Sequence, residues 1–208
     1  MAPKNKFTRE EMVMAAMRVV QKHGSAALTA RAVADELGVS TQPIFTCFKT
    51  MDELRKEVRD AAVELYRSYV AEGFNDRSTA FCFGRQYIRF AREERELYRL
   101  LFLTHEGGAI AAMESSKPII LESLMKIYEM DDREADRLYR DIWLVLYSLG
   151  ALIVTDSCPY TNEEIGKILA GFSIGICKGI KEIPGYVDYN IDLGDELKAM
   201  DRRKNEAN

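Results

Sequence analysis

Between residues 41 and 49 the chain sets Thr41, Gln42, Thr46 and Lys49 within about two helical turns. A glutamine amide donates and accepts at once, which matches the N6 and N7 pair on an adenine edge. Threonine hydroxyls suit a phosphate oxygen, and their methyls suit a thymine methyl. Lys49 supplies the positive charge that a phosphate attracts. Upstream, Thr29 and Ser40 each precede a helical pattern. There a hydroxyl meets backbone N–H groups that the helix leaves unpaired, and such an end also binds anions. Arg31 adds a second cation in the first turn after Thr29. This is chemistry of recognition rather than of bond-making. The sequence holds no phosphate-cradling glycine loop, no metal-ligand spacing, no nucleophile elbow and no acid–base constellation. Its two histidines, His23 and His105, stand far apart, and its four cysteines, Cys47, Cys82, Cys158 and Cys177, are scattered without metal or redox spacing. The expectation is therefore no enzyme, no cofactor and no metal site.

These residues need elements to present them. Nearly every segment has helical period, so the fold class expected is all-α. Thr8-Arg9-Glu10-Glu11 is a capping box that starts a first helix, with Met12, Ala16, Val19 and Val20 on one face and Gly24 at its end. Thr29 caps a short second helix that buries Val33, Ala34 and Leu37. Gly38 breaks it, Val39 plugs the angle, and Ser40 caps a very short third helix. That layout is a helix-turn-helix, whose second helix buries one face and offers the other to a major groove. Ile44, Phe45 and Phe48 are expected on the buried side. Pro43 is tolerated because its missing N–H lies in the first turn. Thr50-Met51-Asp52-Glu53 opens a fourth helix running to about Phe74.

In detail, residues 8–56 resemble the DNA-binding domain of the tetracycline-repressor (TetR/AcrR) family. The residues carrying the resemblance are Gly24, Leu28-Thr29-Ala30-Arg31-Ala32-Val33-Ala34, Gly38-Val39-Ser40, Phe45-Thr46-Cys47-Phe48 and Asp52-Glu53-Leu54. The resemblance implies a ligand-responsive repressor that holds a palindromic double-stranded operator as a homodimer and releases it on binding a small molecule. It implies DNA contacts from Thr29, Arg31, Ser40, Thr41, Gln42, Phe45, Thr46 and Lys49. The family usually has Tyr at Phe45, His at Cys47 and Lys at Met51, all able to reach phosphate. Their replacement leaves Arg31, Lys49 and the N–H groups opening the second helix as the remaining backbone contacts. Two alternatives stand beside this reading: a helical interaction module that has lost DNA binding, and a small-molecule enzyme.

The organisation expected is a DNA-binding domain over 1–50, a ligand-binding and dimerisation domain over 51–183, and a tail with little fixed structure over 184–208. Further helices are expected near 78–93, 95–106, 116–130, 132–157 and 161–182, the last opened by the capping box Thr161-Asn162-Glu163-Glu164. In this family two C-terminal helices of each subunit form a four-helix dimer interface. Gly171, Gly175 and Gly179 recur on one face of the last helix, and each costs roughly 1 kcal/mol against Ala unless close packing compensates. Gly150 and Ala151 would offer a matching flat spot on the preceding helix, which is apolar all round from Ile142 to Val154 and so is expected to face both core and partner. The middle helices are rich in aromatic and Met residues. Tyr66, Phe102, Met125, Trp143 and Tyr147 are the candidates to line an apolar effector pocket with a few polar tips. His105 is a further candidate at a helix end.

The 208 residues carry a net charge of −4, with 47% apolar and 30% charged residues. That balance excludes wholesale coating of nucleic acid and suits an ordinary globular core. Lys4, Lys6, Arg9, Arg18 and Lys22 nevertheless make a basic arm at the start, a hint of a polyanionic partner. With no apolar leader and no run long enough to span a bilayer, the location expected is cytoplasmic, without a membrane partner.

Overall fold

The computed structural model describes residues 7–73, 80–104 and 108–191, with the side chains of 80 and 81 excepted. Among these residues there are nine α-helices and no strands. The N-terminal unit comprises α1 (Arg9–His23), α2 (Ala30–Leu37) and α3 (Gln42–Cys47), with a single 3-10 turn at Ser25–Ala27. The long α4 (Met51–Glu72) leads into α5 (Ala80–Glu93), α6 (Arg95–Phe102), α7 (Ala109–Tyr128), α8 (Asp132–Val154) and α9 (Asn162–Glu182).

Local chemistry sets the helix starts. The Thr8 and Thr161 capping boxes both close, each hydroxyl taking an N–H while the Glu three residues on returns to the cap's own N–H. At Thr50 only half of the box forms. The hydroxyl accepts from Glu53 N, but the Glu53 carboxylate accepts from the Lys49 N–H at 2.8 Å instead. Asp131 closes a further box with Glu134 at the start of α8. Gly38 takes the left-handed conformation (φ 66°) that ends α2, a turn a β-carbon would oppose.

A continuous core runs through both halves of the chain. Leu54 and Val58 of α4 are buried in the part of the helix that packs on α1. Further along α4, Tyr66 meets the rings of Tyr87 and Phe90 on α5 and of Phe102 on α6. α8 lies against α5, α7 and α9.

Four expectations are corrected. The cap of α3 is Thr41 rather than Ser40, and it works through its carbonyl alone, without a side-chain bond. α6 ends at Phe102, well before 106. α7 starts at Ala109 rather than 116 and carries Pro118 inside it. In the turn before it, Ser115, Ser116 and Tyr139 donate their hydroxyls to the carbonyls of Ala112 and Met113, while the carbonyl that Pro118 itself deprives of an N–H is that of Glu114. Finally, residues 184–190 are not a loose tail but a turn folded back on α8 and α9. Tyr186 covers Gly179, where a Cβ would stand 2.5 Å from the ring. The nearly buried Arg137 donates to the Tyr186 carbonyl at 2.6 Å and to Asp141 at 2.6 Å, and lies over the rings of Tyr186 and Tyr189. Arg133 pairs with Asp188.

No described helix is long and apolar enough to cross a membrane, and the described residues contain no cluster of His, Cys, Asp and Glu fit for a metal ion.

Candidate nucleic-acid interface and effector chamber

The outer face of the helix-turn-helix is built by what the rest of the unit neutralises. Arg9, Arg18 and Lys22, read from sequence as part of a basic arm, are engaged inward. Arg18 and Lys22 both hold Glu36 on α2, at 2.9 and 2.7 Å. These bonds, Lys22 first and then Arg18, keep the Glu36 carboxyl below its usual range. Arg9 does more. Its guanidinium reaches Glu53 at 2.6 Å and Glu57 on α4, lies 4.3 Å over the Phe48 ring, and donates to the Cys47 carbonyl at 2.7 Å. It thus ties the last turn of α3 to α4 and satisfies a carbonyl that the helix end leaves open. This positioning role was not read from the sequence, since nothing local in Thr8-Arg9-Glu10 reveals partners more than 35 residues away. Lys4 and Lys6 lie outside the described residues.

What remains outward is the predicted set. Arg31 is 89% exposed and has only a 4.0 Å approach to Asp35. Lys49 is exposed and its side chain forms no ion pair among the described residues. Gln42, Thr29 and Ser40 are exposed, and Thr41 is half-buried. The Thr29 hydroxyl accepts from Ala32 N at 3.1 Å, so its cap is formed at the opening of α2. Thr46 is exposed and donates its hydroxyl to the Gln42 carbonyl at 2.9 Å. Phe45 corrects one expectation: Ile44 and Phe48 are buried, but Phe45 is 57% exposed and sits with the outward residues. The outer face of α2, α3 and the residues just after α3 therefore presents an amide, hydroxyls, one bare ring and two exposed cations, Arg31 with only a 4.0 Å approach to Asp35 and Lys49 with no ion pair among the described residues, a surface suited to a polyanion with readable edges.

The second candidate site lies inside the helical domain. Four of the five predicted residues form a chain of contacts. The Tyr66 and Phe102 rings meet edge-on at 5.5 Å, the Tyr147 hydroxyl donates to the Phe102 carbonyl at 3.1 Å, and Trp143 stacks on Tyr147 at 5.4 Å. Met125 stands in the last turn of α7, half-buried against the same core. The buried hydroxyls nearby are paired: Tyr87 with Tyr98 at 3.1 Å, Tyr98 with the Tyr147 carbonyl at 3.0 Å, and Ser116 with Tyr139 at 3.0 Å. Two buried donors are not. Tyr66 Oη and Trp143 Nε1 have no hydrogen-bond partner. Burial, reinforced by the Tyr139 hydroxyl and only partly opposed by the neighbouring Ser116 hydroxyl, which forms no normal hydrogen bond with it, pushes the Tyr66 hydroxyl well above the usual tyrosine range, so it stays a neutral donor. The cavity beside Tyr139, lined by Phe83, Ile120, Leu124, Leu138 and Ile142, measures only about 10 Å³. His105, the other sequence candidate, lies outside the described residues.

The third feature is the outer face of α8 and α9. Leu144, Phe172 and Ile174 are exposed there, and a Cβ at Gly171 or Gly175 would meet nothing within 4 Å. The predicted glycine stripe thus divides. Gly171 and Gly175 stand open, whereas Gly179 is covered by Tyr186 of the same chain. Gly150 also turns inward: a Cβ there would collide with the Tyr98 ring, so it is no flat spot for a partner.

Residues 13–58 match the family model described as bacterial regulatory proteins, tetR family. No curated protein matches the chain. Among solved structures, a TetR-family member from Streptomyces coelicolor A3 superposes with a TM-score of 0.59 at 21% identity, covering 82% of this chain and 98% of that one. The multidrug binding protein EbrR, complexed with imidazole, gives 0.57 at 23% identity over 79% of this chain and 93% of its own. A TetR-like transcriptional regulator from Rhodococcus sp. RHA1 gives 0.57 at 13% identity, covering 85% and 100%. At such identities the likeness is one of fold, and it extends through the helical domain that the family model does not reach.

Proposed function

We propose that the chain, whose residues 13–58 match the tetR family of bacterial regulatory proteins, is a DNA-binding transcriptional regulator of that family, and that it acts as a homodimeric repressor, releasing a palindromic operator when a small, largely apolar effector enters the helical domain. The observation that carries the effector reading is the pair of buried, unpartnered donors, Tyr66 Oη and Trp143 Nε1. A buried donor without an acceptor costs about 1–3 kcal/mol, and a ligand bearing an acceptor such as a carbonyl would recover that cost. The surrounding rings favour an aromatic or aliphatic body. With a cavity of about 10 Å³ alongside, such a ligand requires the helices to part. A two-state core that opens on binding is the kind of element that can transmit a signal. EbrR, one of the structural neighbours, is described as a multidrug binding protein complexed with imidazole, which agrees with a small-molecule effector here.

Dimerisation is proposed through the exposed Leu144, Phe172 and Ile174 with Gly171 and Gly175 between them. Removing such a face from water is the usual driving force for a permanent dimer. For DNA we assign base reading to Gln42, phosphate contacts to Arg31, Lys49 and the openings of α2 and α3, and surface contacts to Ser40, Thr41, Phe45 and Thr46. The test is a fluorescence-anisotropy titration of the protein against the DNA upstream of its own gene, at fixed salt, with and without hydrophobic compounds that raise its melting temperature. Tight binding to one palindromic stretch, weakened by those compounds, is the expected result. Equal affinity for that DNA and a scrambled duplex would remove the operator reading, and operator binding indifferent to every stabilising compound would remove the effector reading.

A further inference from the structure

We infer that the cleft between α5 and α9 is a second binding site, one that takes an amphipathic monoanion: a carboxylate carried on an apolar body. The cleft holds about 490 Å³, inside the roughly 300–1,000 Å³ of small-molecule sites. Its floor is apolar, made by Ile88, Ile165 and Leu169. Gly84 packs closely behind that floor: a Cβ there would stand 3.2 Å from Leu169 Cδ1, so the leucine side chain would have to give by a few tenths of an ångström.

The rim is cationic. Arg85, Arg89 and Arg92 recur at i, i+4 and i+7, so they line one side of α5. Arg89 is neutralised by Glu72 at 2.7 Å and Glu93 at 3.0 Å. Arg85 and Arg92 are exposed and form no ion pair among the described residues. Between them stands Gln86, only 8% exposed. Its Oε1 accepts from Arg89 Nη1 at 3.4 Å, while its Nε2 donors have no partner among the described residues. A nearly buried glutamine whose Nε2 stays open at the cleft, and two guanidinium groups without ion pairs among the described residues, suit an acceptor-only head group, which a carboxylate is. Glu93 also lines the cleft, so charge beyond one would be repelled. The apolar floor excludes a small hydrophilic anion for lack of contact. None of the cleft residues belongs to the chamber around Tyr66 or to the open face at Gly171 and Gly175.

The experiment is calorimetric titration of the full chain with sodium decanoate and, separately, with 1-decanol, which has the same chain and no charge. The proteins are the wild type, the double variant Arg85→Gln/Arg92→Gln and the single variant Tyr66→Phe. Both arginines are exposed, and a thermal melt followed by circular dichroism confirms that the double variant keeps its fold. The expected result is one decanoate per chain in the wild type and in Tyr66→Phe. The double variant should bind at least about tenfold more weakly, as loss of one or two charge-assisted hydrogen bonds dictates. Any heat from decanol should be the same in the wild type and the double variant. No decanoate binding to the wild type, as when a second copy covers the cleft, overturns the proposal. So does equal decanoate affinity in the wild type and the double variant, or loss of decanoate binding in Tyr66→Phe, which would move the site to the chamber.

Discussion

The N-terminal unit and the helical domain leave opposite kinds of group unsatisfied. In the first, Arg9, Arg18 and Lys22 are matched internally, while Arg31, held only by a 4.0 Å approach to Asp35, and Lys49 are left exposed, as is Gln42. In the second, the unmatched donors Tyr66 and Trp143 point in, while the outer face of α8 and α9 shows bare Leu144, Phe172 and Ile174. An unmatched group indicates the partner that would match it. The outward cations ask for a polyanion, the inward donors for an acceptor on an apolar body, and the bare face for another apolar face. Function is thus readable here from what each region fails to complete by itself.

The strongest way to break this contrast is at the bare face. A Gly175→Glu substitution would bury an unpaired carboxylate in each half of the proposed interface, costing about 3 kcal/mol or more. Sedimentation equilibrium should show monomer in place of dimer; an unaltered dimer would place the interface elsewhere. The inward donors come next. Because the Tyr66 hydroxyl is buried without a partner, Tyr66→Phe should stabilise the ligand-free protein by about 1–3 kcal/mol in urea unfolding. It should at the same time weaken any acceptor-bearing effector. A loss of stability would mean that the hydroxyl is matched after all.

On the DNA side Gln42→Ala should relax preference at one symmetric pair of operator positions, by about 1–3 kcal/mol per contact. Lys49→Ala should weaken binding to all sequences alike and lower the slope of log K against log salt by roughly two for the dimer. An unchanged slope would show that Lys49 does not face the backbone. The smallest effect concerns acid. Hydrogen bonds from Arg9 first, then from the Lys49 backbone N–H, hold the Glu53 carboxyl below its ordinary 4.5. A depressed carboxyl contributes stability that is complete above that value and fades as pH falls through the lower, folded one. Arg9→Gln should therefore flatten the acid side of the stability profile below pH 4.5 while leaving its shape at neutral pH alone. Identical acid limbs would show that Arg9 does not govern that titration.

Much of the N-terminal unit was legible because its signals are local. Thr8, Thr29, Gly24 and Gly38 act on neighbours within four residues, and each does in the structure what its type and position suggest. Arg9 was misread as surface charge because its partners, Cys47, Glu53 and Glu57, are distant in sequence. Phe45 was placed inside because it is apolar, yet a six-residue helix has room to bury only Ile44 on its own turns, with Phe48 just beyond. In the helical domain the aromatic richness was visible but not its arrangement. Pro118 masked the first two turns of α7, since a proline reads as the first turn of a helix rather than its interior. The glycine stripe held half its meaning: spacing alone could not tell that Tyr186 returns to cover Gly179.

The return of Tyr186 also fixes where the gene can be shortened or extended. The fold does not end with α9 at Glu182. A stop codon placed there would uncover Gly179, remove two aromatic faces from the nearly buried Arg137 and withdraw the carbonyl that its guanidinium donates to. A stop placed after Ile191 leaves every one of those contacts in place. Any tag, reporter or fused domain joined at the carboxyl end therefore belongs beyond residue 191, because the last turn before it functions as part of the core.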